Sequence, residues 1–111
     1  MSKVARGSMN SEYDIPEHLS TKSKRLWARW VGSRVKSAGR TESLRNGLEL
    51  LDRADSCQEV IAREGVWIVS KRSGLSHPHP LLKEEIRCRR LSQKIIHQLG
   101  LDWEFLEDGI E

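Results

Sequence analysis

No stretch of the 111-residue chain approaches the roughly 18–20 apolar residues of a membrane span, so no spanning helix is expected. The segment MSKVARGSMNSEYD at residues 1–14 has no apolar core of the kind a secretory signal needs. Cysteine is scarce: Cys57 and Cys88 stand alone, without a CxxC, which points to two free thiols in a reducing compartment. The cytoplasm is the expected location. There is no Walker-type phosphate loop, no GxGxxG and no GxSxG, which removes the commonest nucleotide-binding and hydrolase signatures. The four histidines (His18, His77, His79, His97) and the two cysteines match no closed zinc spacing, so no metal or other cofactor is expected. Glu84-Glu85 falls in the first turn of a helix, where the dipole accounts for it without an acid–base pair. Internal repeats and low-complexity segments are also missing.

What the chain does have is charge, and it is segregated. Residues 1–40 carry a net +6, residues 41–64 a net −3, residues 65–100 a net +5 and residues 101–111 a net −5, giving +3 overall. Such blocks suit a polyanionic partner on the basic surfaces and charged faces that meet in an oligomer; solvated helix faces are the alternative. One domain is the expectation at this length.

The periodicity predicts a mainly α protein: three principal helices, a small β-hairpin between the second and third, and a single domain that assembles into an oligomer. Residues 1–15 read as a flexible polar arm, 16–103 as the helical domain and 104–111 as an acidic tail. Leu26, Trp27, Trp30, Val31, Val35 and Ala38 recur at helical spacing, predicting a first helix from about Ser20 to Ala38, capped by Ser20 or Thr21 and ended by Ala38-Gly39. Thr41 is the expected cap of a second helix with a stripe of Leu44, Leu48, Leu51, Ala54 and Ile61, stopped by Gly65. Leu50, Cys57 and Val60 widen that stripe and are the candidate oligomer interface. Gly47 inside it costs about 0.5–1 kcal/mol against alanine, which suggests a close packing partner.

Residues 65–103, GVWIVSKRSGLSHPHPLLKEEIRCRRLSQKIIHQLGLDW, change period along their length. A β-prone run at 66–69 and a polar stretch ending in Gly74 predict a hairpin. His77-Pro78-His79-Pro80 then sets a turn, with both histidines as polar turn residues. A third helix is predicted from Pro80 to Leu99, with Gly100 just past its end. Leu82, Ile86, Ile96 and Leu99, flanked by Leu81, Leu91 and Ile95, form its expected buried side. Arg87, Arg90 and Lys94 form its outer face.

The chemistry with most support is contact with phosphates. Lys22, Arg25, Arg29 and Lys36 share a face of the predicted first helix, and Lys71 and Arg72 lie at the hairpin tip. Cations in this arrangement position a protein on DNA without reading its sequence. Trp27 and Trp30 fit a core better than a stacking platform. A helix-turn-helix turning at 38–40 would put the net-acidic second helix in the groove, which argues against it.

These residues resemble the small terminase subunits of tailed bacteriophages and prophages, in the branch without an obvious N-terminal winged module. The resemblance spans residues 16–103: Pro16 before a tryptophan-containing helix, Leu51 and Ala54 in LELLDRAD, Gly65 and Gly74 around the hairpin, His77-Pro78 where Asn-Pro is usual, and a basic helix ending Leu99-Gly100-Leu101. The chain departs from the pattern after that, with Asp102-Trp103-Glu104 in place of a proline and an arginine. The resemblance implies a non-enzymatic viral DNA-packaging factor in the bacterial host cytoplasm. Such a factor binds double-stranded viral DNA at the packaging site as a ring and regulates the large terminase subunit, with Trp103, Phe105 and Leu106 as the candidate large-subunit contact. A small helical DNA-binding regulator of phage or prophage transcription is the alternative.

Overall fold

A computed structural model describes residues 14–101. The order of elements is α1 (Thr21–Trp30), α2 (Ala38–Glu64), β1 (Trp67–Val69), β2 (Ser76–Pro78) and α3 (Leu81–Gln98). Three helices with an antiparallel two-stranded hairpin between the last two match the predicted class. Residues 1–13 of the proposed arm (1–15), the last two residues of the proposed domain (102–103) and the whole acidic tail (104–111) lie outside the described residues, and Trp103, Phe105 and Leu106 with them.

Ser20 caps α1, accepting the backbone N–H of Ser23 at 3.1 Å on its hydroxyl oxygen. Ser23, Leu26, Trp27 and Trp30 form the buried stripe. The helix is shorter than its apolar period implies: it stops at Trp30, not Ala38. Gly32 takes φ +92°, and the Ser33 hydroxyl donates to the carbonyl of Arg29 at 2.8 Å, so local bonds replace another helical turn. The carbonyl of Trp30 then accepts the amides of Ser33, Arg34 and Val35, and this reversal delivers Val35 to the core. Ala38 and Gly39 consequently begin α2 instead of ending α1. Ser37 is the cap, accepting from the Arg40 amide at 3.2 Å. Thr41, the expected cap, is buried one turn inside, its hydroxyl donating to the Ser37 carbonyl at 2.8 Å.

Helix α2 runs 27 residues, about 40 Å at 1.5 Å per residue, and is the spine against which α1 and α3 pack. It ends at Gly65 with φ +96°, as expected. A Cβ on Gly47 would lie 3.1 Å from Ile95 Cγ2, so this glycine lets α3 approach closely.

Leu19, Leu26, Trp27, Trp30, Val35, Leu44, Leu48, Leu51, Ile96, Leu99 and Leu101 form the main core, where all three helices meet. Toward the hairpin only α2 and α3 remain, and the buried residues are Ala54, Cys57 and Ile61 on α2 and Cys88 and Ser92 on α3. Cys88 and Ser92, with Ile96, mark the true inner face of α3. The face is rotated from the predicted one: Ile86 and Leu91 point to solvent at 43% and 37% exposure, and Leu81, Leu82 and Ile95 are half-buried.

Gly100 closes α3 as predicted. Its N–H bonds the His97 carbonyl at 2.9 Å, and the Leu101 N–H reaches back to Ile96 at 3.0 Å, a Schellman closure that tucks Leu101 into the core.

Candidate nucleic-acid interface

Most carboxylates of the acidic middle block are engaged within the chain. Asp52 accepts three hydrogen bonds from the start of α1: the Ser20 amide at 2.8 Å, the Ser20 hydroxyl at 2.7 Å and the Ser23 hydroxyl at 2.6 Å. Its charge also sits favourably at that helix N-terminus. Asp55 binds Lys22 at 2.6 Å and Arg89 at 3.1 Å, joining all three helices through one carboxylate. Glu49 pairs with His18, Glu64 with His79 and Glu42 with Arg45. On α3, Glu84 takes Arg87 at 2.8 Å and Arg53 at 3.4 Å, while Glu85 takes Arg89 at 3.1 Å. The Arg87 hydrogen bond, then the Cys88 thiol, holds the Glu84 carboxyl below its ordinary range. Burial and the same carboxylate push the Cys88 thiol up, the opposite of what a reactive cysteine needs.

Subtracting these pairs leaves the cationic surface. Of the residues predicted to meet phosphates, Lys22 is committed to Asp55. Arg25 is exposed and forms no ion pair among the described residues. Arg29 is exposed on the last turn of α1, with a contact of its own. Lys36 is exposed too, but it lies in the link before α2 and not on the α1 face. Lys71 and Arg72 stand at the hairpin tip, where Gly74 at φ +74° and its N–H to the Ser70 carbonyl, 2.7 Å, close the loop. The structure does not bring the two groups together: from Asp55, the partner of Lys22, α2 runs about 15 Å further to Gly65. Lys83, Arg90 and Lys94, exposed and without ion pairs among the described residues, extend the surface along α3. Their spacing with Arg87 is visible in the sequence, but only the exposure of that face gives it a use.

The hairpin itself is apolar and outside the core. Val66, Trp67, Val69 and Leu75 are 48–69% exposed. Trp67 pairs with Pro78 and Val69 with Ser76, so Trp67 and Val69 share one sheet face. Of the candidate interface residues on α2, Leu50 and Val60 are half-buried. Cys57 is buried at 7% exposure and belongs to the α2–α3 seam, which removes it as a surface contact.

His79 is buried at the junction of hairpin and α3. Its Nε2 donates to Glu64 at 2.8 Å and its Nδ1 accepts the Leu81 amide at 3.0 Å, so it caps α3. His77 is exposed. Among the described residues no group of three or more His, Cys, Asp or Glu is placed to hold a metal ion, and no helix is long and apolar enough to cross a membrane. No family model, no curated protein and no solved structure matches the chain.

Proposed function

We propose that this chain is a non-catalytic DNA-packaging factor working as small terminase subunits do: it holds double-stranded viral DNA as a ring oligomer in the host cytoplasm and regulates a large subunit. The observation that carries the reading is the charge left by folding. The carboxylates of α2 are largely spent inside the chain, whereas Arg25, Lys71, Arg72, Lys83, Arg90 and Lys94 stay exposed without ion pairs among the described residues. A surface of that kind suits phosphate contacts. The exposed hairpin suits a subunit interface, because a soluble surface rarely leaves a tryptophan and several aliphatic side chains together in water. Repeating a weak cationic surface around a ring multiplies affinity without strong single sites. The large-subunit contact assigned to Trp103, Phe105 and Leu106 belongs to this same reading.

The test is duplex binding across a salt series, with Arg25→Ala combined with Lys71→Ala and Arg72→Ala. Affinity should fall by the same factor for unrelated sequences. The slope of log affinity against log salt should flatten by about 0.9 for each phosphate that the variant no longer neutralises. A slope equal to that of the unaltered chain would remove these residues from the DNA interface.

A further inference from the structure

The two edges of the hairpin differ. The His79 amide donates to the Val66 carbonyl at 2.6 Å, and the Ser70 amide to the Leu75 carbonyl at 2.9 Å. With Ile68 opposite His77, alternation makes Val66–His79, Ile68–His77 and Ser70–Leu75 the hydrogen-bonded pairs. Trp67, Val69, Ser76 and Pro78 therefore aim their backbone groups away from the hairpin. On β2 that outer edge is largely closed: Pro78 has no N–H, and His77 Nδ1 donates to the Pro78 carbonyl at 3.0 Å. On β1 nothing among the described residues closes it. Trp67 and Val69 are 64% and 60% exposed, and the strand Trp67–Val69 has no charge or proline of the kind that protects an edge.

We propose that the open edge of β1 pairs with β1 of a second copy, antiparallel about a dyad at Ile68, so that two hairpins join into one four-stranded sheet. This contact rests on the reading of the hairpin as a subunit interface and gives it a geometry. Trp67 of each copy faces Val69 of the other as a hydrogen-bonded pair, about four backbone bonds in all, and the two Ile68 residues meet at the dyad as a non-hydrogen-bonded pair. The edge is its own complement, because its outward groups lie one residue to either side of Ile68. The same register lays Trp67 of one copy beside Val69 of the other on one sheet face, covering the apolar side chains left in water. Charge selects the direction. Parallel pairing would set the Lys71–Arg72 tips side by side, whereas antiparallel pairing holds the two Lys71 residues about 20 Å apart, well beyond the Debye length of about 8 Å. The closed β2 edge then ends the sheet instead of letting it grow into a fibre. Because the contact is isologous, any ring that uses it contains an even number of copies.

The test measures native mass at micromolar concentration for the full chain, for Val69→Pro, and for Trp67→Ser combined with Val69→Ser. Proline at 69 removes an outward amide and leaves the hairpin's own ladder bonds in place. The unaltered chain should form even-numbered assemblies in which the Trp67 and Val69 amides exchange about tenfold more slowly than in the diluted monomer. Val69→Pro should lose the edge contact and its mass should fall, while the Ile68 and His77 amides stay protected. Ile68→Cys should give a covalent dimer on mild oxidation, and the unaltered chain, with Cys57 and Cys88 buried, should give none. Odd-numbered assemblies overturn the dyad. So does a Val69→Pro variant that keeps the higher mass while the double serine variant loses it, which leaves the hairpin face as the interface without edge pairing. Higher mass in both variants, or a monomeric unaltered chain, overturns the hairpin interface as well. Should Val69→Pro lose protection at Ile68 and His77, the cysteine decides: no covalent dimer overturns the pairing.

Discussion

His77 and His79 differ by two positions and share proline neighbours, yet one is exposed and the other is built into the fold. The difference comes from two partners of His79, the amide that follows Pro80 and the carboxylate of Glu64. Proline has no amide to donate, so the first orphan N–H of α3 is that of Leu81, and His79 Nδ1 accepts it. The proton therefore sits on Nε2, facing Glu64 at the end of α2. His79→Ala should cost about 1–3 kcal/mol, the range for removing a cap and vacating a buried hydrogen bond. His77→Ala should stay within about 0.5 kcal/mol. Urea unfolding midpoints decide it, and equal destabilisation of the two variants would deny His79 its capping role. The sequence assigns both histidines to a turn, which fits His79 alone: His77 lies in β2, paired with Ile68. Their inequality was not legible there, because it depends on Glu64, fifteen residues away along the chain.

At the scale of elements, the α2–α3 pair depends on close approach. A Cβ at Gly47 meets Ile95 at 3.1 Å, so Gly47→Val should destabilise by about 1–3 kcal/mol through overpacking, despite any gain in helix propensity. Adding Ile95→Val should recover part of the stability, because the two side chains share one space. A strictly additive double mutant, read from the same urea midpoints, would place the limiting approach elsewhere. The same helices show where periodicity succeeds and fails. The ends of α2 at Gly65 and of α3 at Gly100 were readable from glycine alone. The end of α1 was not, since Val31 and Val35 continue its apolar period while Gly32 and Ser33 reverse the backbone. The rotation of α3 was hidden for a related reason. Cys88 and Ser92 line its seam because the gap is narrow, and a count of large apolar residues favours Ile86 and Leu91 instead.

At the scale of the whole molecule, folding turns an alternating charge pattern into an asymmetric one. Exposed ion pairs are each worth only about 0–1 kcal/mol, so their larger consequence is to determine which cations remain for a partner. Apolar surface is sorted likewise: the α1–α2–α3 core takes Trp27, Trp30 and most of the leucines, and the hairpin keeps Val66, Trp67, Val69 and Leu75 outside. On the proposed reading of the hairpin as a subunit interface, Trp67→Ser with Val69→Ser should reduce native mass to that of a monomer at micromolar concentration. Retention of a higher mass by this variant, or a monomeric unaltered chain, would eliminate the hairpin as a subunit interface.

The sequence by itself determined the class, the order of elements and most of their ends, because caps, prolines and left-handed glycines act within a turn of where they stand. Tertiary structure alone decided which charges remain exposed, which histidine is buried and which face of α3 turns inward. Those outcomes rest on partners 15 to 34 residues apart, such as Glu64 with His79 and Asp55 with Arg89. No local pattern encodes a pairing at that distance; it exists only once the helices pack.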